Sequence, residues 1–149
     1  MSDWEQRLAL ARSGLAPAMA WVGEWRGEGT AHGEPVEATL RVRAVLGDTQ
    51  IEVWERVAPL AGAAGEPHED VCSYRFDVGT AQVRVVHLMA PALVAEYAVE
   101  LSLDGVVWVT PPNTPAVVWS QVGETLQSEV YWPDQRVPEV RIVYRRASG

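Results

Sequence analysis

From Trp21 to Gly29 the chain reads Trp-Val-Gly-Glu-Trp-Arg-Gly-Glu-Gly, with Gly or Trp at every odd position and Val, Glu or Arg at every even one. Successive side chains of a strand point to opposite faces, so Trp21, Gly23, Trp25, Gly27 and Gly29 share one face, while Val22, Glu24, Arg26 and Glu28 share the other. The run predicts an opening β-strand with a thin, aromatic inner face and a wet outer one. Three glycines weaken a strand. They are justified where the chain bends sharply or another backbone comes close, and a strand closing a barrel must accommodate both.

The rest of the chain continues in the same idiom. Trp4 to Ser13 places Trp4, Leu8 and Ala11 on one helical face, with Ser2 or Asp3 as N-cap and Ser13-Gly14 as a stop, which predicts a short leading helix over about residues 3–13. Thr30 to Pro35 reads as a loop. Val36 to Ala44 alternates apolar with polar residues over its full length, Gly47-Asp48 turns it, and Gln50 to Val57 returns with Ile51 and Val53 opposed to Glu52, Trp54 and Arg56. Ala58 to Glu66 reads as an exposed loop or lid anchored by Leu60. Strand patterns resume from His68, with Cys72, Tyr74, Phe76 and Val78 opposed to Val71, Ser73, Arg75 and Asp77.

Gln82 to Met89 and Val94 to Leu103 follow, with Pro91 interrupting between them and Asp104-Gly105 as a hairpin turn. Val106 to Val109, Val117 to Val122, Thr125 to Trp132 and Glu139 to Arg146 complete about ten strands by the pattern rules. Hairpin-linked strands at short, regular spacing make an antiparallel meander. A meander of this size escapes its edge problem by closing. The fold class is therefore all-β: an up-and-down antiparallel β-barrel of about ten strands with a short N-terminal helix, forming one domain over residues 1–149.

Composition excludes several function classes. Net charge is −8, which argues against a nucleic-acid partner, and all twelve basic residues are arginine, so a Schiff-base lysine and a phosphate-loop lysine are both excluded. Cys72 is the only cysteine, which forbids an internal disulfide and any multi-cysteine metal site. No apolar run is long enough to span a bilayer, and the N-terminus with Asp3 and Glu5 lacks a secretory pattern, so the expectation is a cytoplasmic protein without a membrane partner.

With the strand order assembled, Gly23-x-Trp25-x-Gly27-x-Gly29 resembles the opening motif of the nitrobindin-like and fatty-acid-binding-protein-like barrels of the calycin superfamily, whose lipocalin-like members also carry a leading helix. The resemblance implies that Trp25 packs at the closed end of a barrel holding a hydrophobic ligand. Nitrobindins bind haem through a histidine near the C-terminus. The last strand here, Glu139 to Arg146, has none, so that ligation is unsupported; Tyr144 is the one residue there able to ligate ferric iron. Fatty-acid-binding barrels clamp a carboxylate with interior arginine and tyrosine, but alternation puts Arg75, Arg141 and Arg145 outside.

Alternation leaves Trp25, Tyr74, Phe76, His87, Trp119 and Tyr144 as the candidate ligand-binding lining. Trp54 is a further candidate for the wall. His32 and His68 read as exposed loop histidines; His87 shares a face with Ala81, Val83 and Val85 and points inward if that set does. The resulting reading is a binding protein, not an enzyme, that holds a small hydrophobic molecule. It needs no cofactor and no metal, and a homodimer is compatible with it. Two alternatives stay open. One is a haem-binding, nitrobindin-like protein with an iron ligand elsewhere; the other is a small lipocalin-like enzyme using His87.

Overall fold

The structure is a computed structural model that describes residues 2–60, 65–90 and 93–147. Ser2 caps helix α1 (Asp3–Leu15) through a capping box: the Glu5 N–H donates to Ser2 Oγ at 3.2 Å, and the Ser2 N–H donates back to Glu5 Oε2 at 2.7 Å. The helix lays Leu15 into the core and presses Gly14 against Phe76, where any Cβ would overlap the ring. Pro17 then opens a short 3₁₀ helix, Ala16–Trp21, which turns Ala18 and Trp21 inward. Trp21 is thus not on the opening strand, as its alternation suggested. That strand starts at Gly23, whose φ of 139° only glycine adopts readily.

Ten strands follow: β1 (Gly23–Ala31), β2 (Glu34–Val45), β3 (Gln50–Pro59), β4 (His68–Asp77), β5 (Gln82–Met89), β6 (Leu93–Ser102), β7 (Gly105–Val109), β8 (Ala116–Val122), β9 (Thr125–Tyr131) and β10 (Val140–Arg146). Each pairs antiparallel with the next, and β1 pairs with β10 to close the barrel. The segment read as a loop over residues 30–35 is a tight hairpin. Only His32 and Gly33 lie in its turn, at φ 52° and 79°, the paired positive φ values that suit the twist of two adjoining strands. Strand β3 also runs two residues beyond its expected end. The middle of the anticipated lid, residues 61–64, and the interruption at Pro91 lie outside the described residues.

Closure depends on the β1–β10 seam. At Gly29 a Cβ would overlap the Arg141 carbonyl oxygen of β10, so the close backbone approach expected of this run is realised there. At Gly27 a Cβ would lie 2.7 Å from both Ile142 Cγ2 and Tyr144 Cδ1, which shows the Tyr144 ring resting against the bare glycine backbone. The register sets Gly27 opposite Tyr144 on one side and Ala38 of β2 on the other. Two adjacent strands therefore carry almost no side chain at this level, and Tyr144 uses the space to reach across them to β3.

Helix and 3₁₀ turn plug one end of the barrel. Trp25 is buried there, donating its indole N–H to the Trp21 carbonyl at 2.9 Å, with the Arg146 guanidinium 4.3 Å from its ring centroid. Trp21 donates to Gln121 Oε1 at 2.5 Å, stapling the plug to β8. Beneath it remains an apolar void of about 30 Å³, room for little more than one water-sized group. No described helix is long and apolar enough to cross a membrane. The seam makes a direct prediction: Gly29→Ala forces β1 and β10 apart and lowers stability by about 2 kcal/mol, as overpacking against a rigid neighbour does. Equilibrium urea unfolding measures it.

Candidate functional site

Away from the plug the barrel is hollow. A cavity of about 680 Å³ opens at the end formed by the β1–β2 hairpin, the start of β4 and the segment before β10. That volume is within the range of small-molecule sites. Its wall takes inward positions from most of the strands: Val36, Val57, Ala95, Val117 and Val130 among the aliphatics, and Tyr97, Trp108 and Trp119 as the aromatic part. Tyr97 stacks on Trp108 with centroids 5.7 Å apart, and Trp108 donates its indole N–H to Tyr74 Oη at 2.9 Å. These contacts fix the aromatic side before any ligand arrives.

Polar groups enter the same wall from β3, β4 and β5. Asp70 sits at the centre of one set. Its Oδ2 lies 2.8 Å from His87 Nε2 and 3.7 Å from His68 Nε2, and the Asp70 side chain is only 14% exposed. Burial pushes the Asp70 carboxyl up, but the nearby His68 and the hydrogen bond from His87 together outweigh burial and hold its pKa below the ordinary value. A carboxylate only accepts, so His87 donates through Nε2–H, which leaves Nδ1 as the acceptor whenever the ring is neutral. Partnership with Asp70 raises the His68 pKa against the opposing effect of its partial burial. His87 also meets Trp108 edge-on, with centroids 5.2 Å apart.

Glu55 is the centre of the other set. It accepts a short hydrogen bond from the Tyr144 hydroxyl, its one hydrogen-bond partner among the described residues. Tyr144 itself is fully buried and stacks on Trp119 at 5.8 Å. Desolvation inside the barrel, reinforced by the nearby Asp70 carboxylate, pushes the Glu55 pKa up to about 7; the Tyr144 hydrogen bond and His68 oppose this without offsetting it. Glu55 is accordingly a carboxyl group poised between its two protonation states at neutral pH. Its side chain is part-buried and belongs to the cavity wall.

The six residues chosen from the sequence fall into three groups. His87 and Trp119 line the cavity. Tyr144 lies just behind the wall and acts on it through Glu55. Trp25, Tyr74 and Phe76 sit toward the plugged end, with Tyr74 on the small apolar void and Phe76 under α1. Trp54, considered for the wall, is on the outer face and 46% exposed. His32 stays at the hairpin turn, paired with Glu139 at 2.8 Å. His68 begins β4, where the strand pattern resumes, and is exposed as expected; it is no loop histidine, however, since it is aimed at Asp70 in the cavity mouth.

Glu55 and Asp70 were missed, although parity carries the signal. Glu55 continues the inward series Ile51, Val53, Val57, and Asp70 continues Cys72, Tyr74, Phe76. Among the described residues no group of three His, Cys, Asp or Glu side chains could hold a metal ion. Nor do the residues make the haem site that the resemblance implies. The last strand lacks histidine, while the Tyr144 hydroxyl is committed to Glu55 and burial pushes its ionisation far up.

Comparison with protein-family models gives no match to this chain, and neither does comparison with curated proteins.

The raised Glu55 pKa fixes a sign. Between pH 4.5 and about 7 the folded state keeps a proton that the unfolded chain has already released, so this group's contribution to stability falls as pH rises through that window. Glu55→Gln cannot ionise. The variant should match wild type near pH 4 and exceed it near pH 8, by up to about 3 kcal/mol at full ionisation, in urea titrations run at both values.

Proposed function

We propose that this protein binds a small, largely apolar molecule inside the barrel, with no chemistry performed on it. The observation that carries the reading is the open cavity of about 680 Å³, whose wall is mainly aliphatic and aromatic. Close-packed interiors do not leave such a volume without use. The molecule enters at the hairpin end and rests its apolar body on Tyr97, Trp108 and Trp119. The closed ten-strand barrel with its helical plug supports placing the chain among calycin-like barrels. Its lone, buried cysteine suits a reducing, cytoplasmic compartment.

A second reading has one observation in its favour. His87 faces the cavity with Nε2 held by Asp70, the orientation an acid–base histidine needs, and Glu55 supplies a carboxyl able to gain or lose a proton at neutral pH. A ligand recovered from purified protein by native mass spectrometry separates the two readings. A binding protein returns it unchanged after incubation, whereas an enzyme returns a product of changed mass or, for an isomerisation, of the same mass at a changed chromatographic retention, and His87→Ala stops the change.

The binding reading is tested with Nile red, an uncharged dye. Wild type should bind it with a blue-shifted, enhanced emission. Ala95→Trp, which fills the wall opposite His87, should weaken binding roughly ten-fold or more while leaving the thermal midpoint close to wild type. Equal binding by both forms would place the dye outside the barrel and remove the reading's support.

A further inference from the structure

The charge inventory of the cavity is one-sided. Glu34, Glu55, Glu66, Asp70 and Glu139 line it, against the three histidines His32, His68 and His87, and no arginine lies in its wall among the described residues. The arginines are spent elsewhere. Arg75 and Arg84 share Glu96 on the outer face, Arg41 meets Glu24 there, and Arg146 is held by the Val22 and Ala20 carbonyls beside Trp25. A bound carboxylate would therefore meet Asp70 and Glu55 with no guanidinium to receive it, in a low-dielectric site where like charges repel strongly.

The histidines are already assigned. His32 serves Glu139 at the rim, and His68 and His87 both serve Asp70. Glu55 is different: it is part-buried in the cavity wall, forms no salt bridge among the described residues, and is anchored by Tyr144. Beside that anchor stand the aromatic faces. Trp119 stacks on Tyr144 itself, and Tyr97 and Trp108 form the stacked pair of the same cavity. A part-buried carboxyl group that forms no salt bridge among the described residues, beside aromatic rings whose faces carry negative potential, is an environment that selects an ammonium group.

We infer that the ligand is a lipophilic amine, bound as its cation with the ammonium group on Glu55 and its apolar body against Tyr97, Trp108 and Trp119. This rests on the binding reading above and specifies its substrate class. The acidic rim formed by Glu34, Glu66 and Glu139, and the chain's net charge of −8, steer a cation toward the same opening. Binding also draws Glu55 into its ionised form. The groups facing it are Tyr144 from β10 and Asp70 and His68 from β4, with His87 beyond them on β5, while the inward residues of β2 (Val36, Ala38, Leu40 and Val42) are apolar. Since burial holds the Glu55 proton on up to about pH 7, amine uptake releases that proton and strengthens as pH rises from about 5.5 to 8.

The test uses three probes of one shape on the full chain: naphthylethylamine, naphthylethanol and naphthylacetate, titrated by calorimetry at pH 8. The amine should bind at least about ten-fold more tightly than the alcohol, a difference of about 1.4 kcal/mol, and the acid should bind most weakly. Glu55→Gln retains a carbonyl acceptor for Tyr144; it should bring the amine down to the alcohol's affinity, leave the alcohol within about two-fold of wild type, and reduce the pH dependence to what the alcohol shows. Wild type alone decides the matter should the variant fold poorly. If the alcohol equals the amine, or the acid binds best, the inference is overturned while the binding reading stands. If none of the three binds, the inference falls, and Nile red decides the binding reading separately.

Discussion

Everything in this barrel depends on how closely β1 and β10 approach. A sheet of ten strands has two edges, and they are removed here by bringing the first and last strands together where Gly29 leaves room for the Arg141 carbonyl. The same seam places the site. Gly27 and Ala38 leave a bare track across β1 and β2, and Tyr144 lies along it from β10 to reach Glu55 on β3. A larger residue at either position would fill that track and separate the phenol from the carboxylate. Architecture and electrostatics are joined at this one contact.

From that contact the interior divides into a packed half and a hollow half. The helix, the 3₁₀ turn and the indoles of Trp21 and Trp25 fill one end, where hydrogen bonds to the Trp21 carbonyl and Gln121 satisfy both ring N–H groups. The other end keeps its volume and gathers the titratable groups. Asp70 is compensated by two histidines and stays ionised; at Glu55 burial and the Asp70 charge outweigh the Tyr144 phenol and the more distant His68, and push it the opposite way. Two carboxyl groups on neighbouring strands, paired in register, thus hold opposite protonation preferences. The contrast gives the cavity both a fixed charge and a group that changes charge near neutrality.

The barrel was legible because period-two alternation is written over most of the chain, and because glycines in Trp21 to Gly29 made sense only as a closure device. Trp21 misled, since a 3₁₀ turn buries it just as the strand pattern would. The site was harder to see for a different reason. Apolar residues define the inward face by majority, so a charged residue inside the series, such as Glu55 between Val53 and Val57, drops out of the reading that identifies the face. Asp70 was hidden by its place near the strand's start, and His68, read there as an exposed residue, gains its role only from Asp70. Parity alone would have recovered all three. The Tyr144 reach across Gly27 and Ala38 was not recoverable, because it requires the register of three strands at once.

The central claim is that a closed, desolvating barrel holds Glu55 as a carboxyl group that ionises near neutrality while Asp70, one strand away, ionises well below it. Carbon-13 NMR of the side-chain carboxyls, titrated from pH 3 to 9 in the intact protein and assigned with Glu55→Gln, reads both groups separately. The account predicts a Glu55 midpoint near 7 and an Asp70 midpoint below the ordinary aspartate value. A Glu55 midpoint at the ordinary value near 4.5 would show that bulk water reaches it, and would contradict the account.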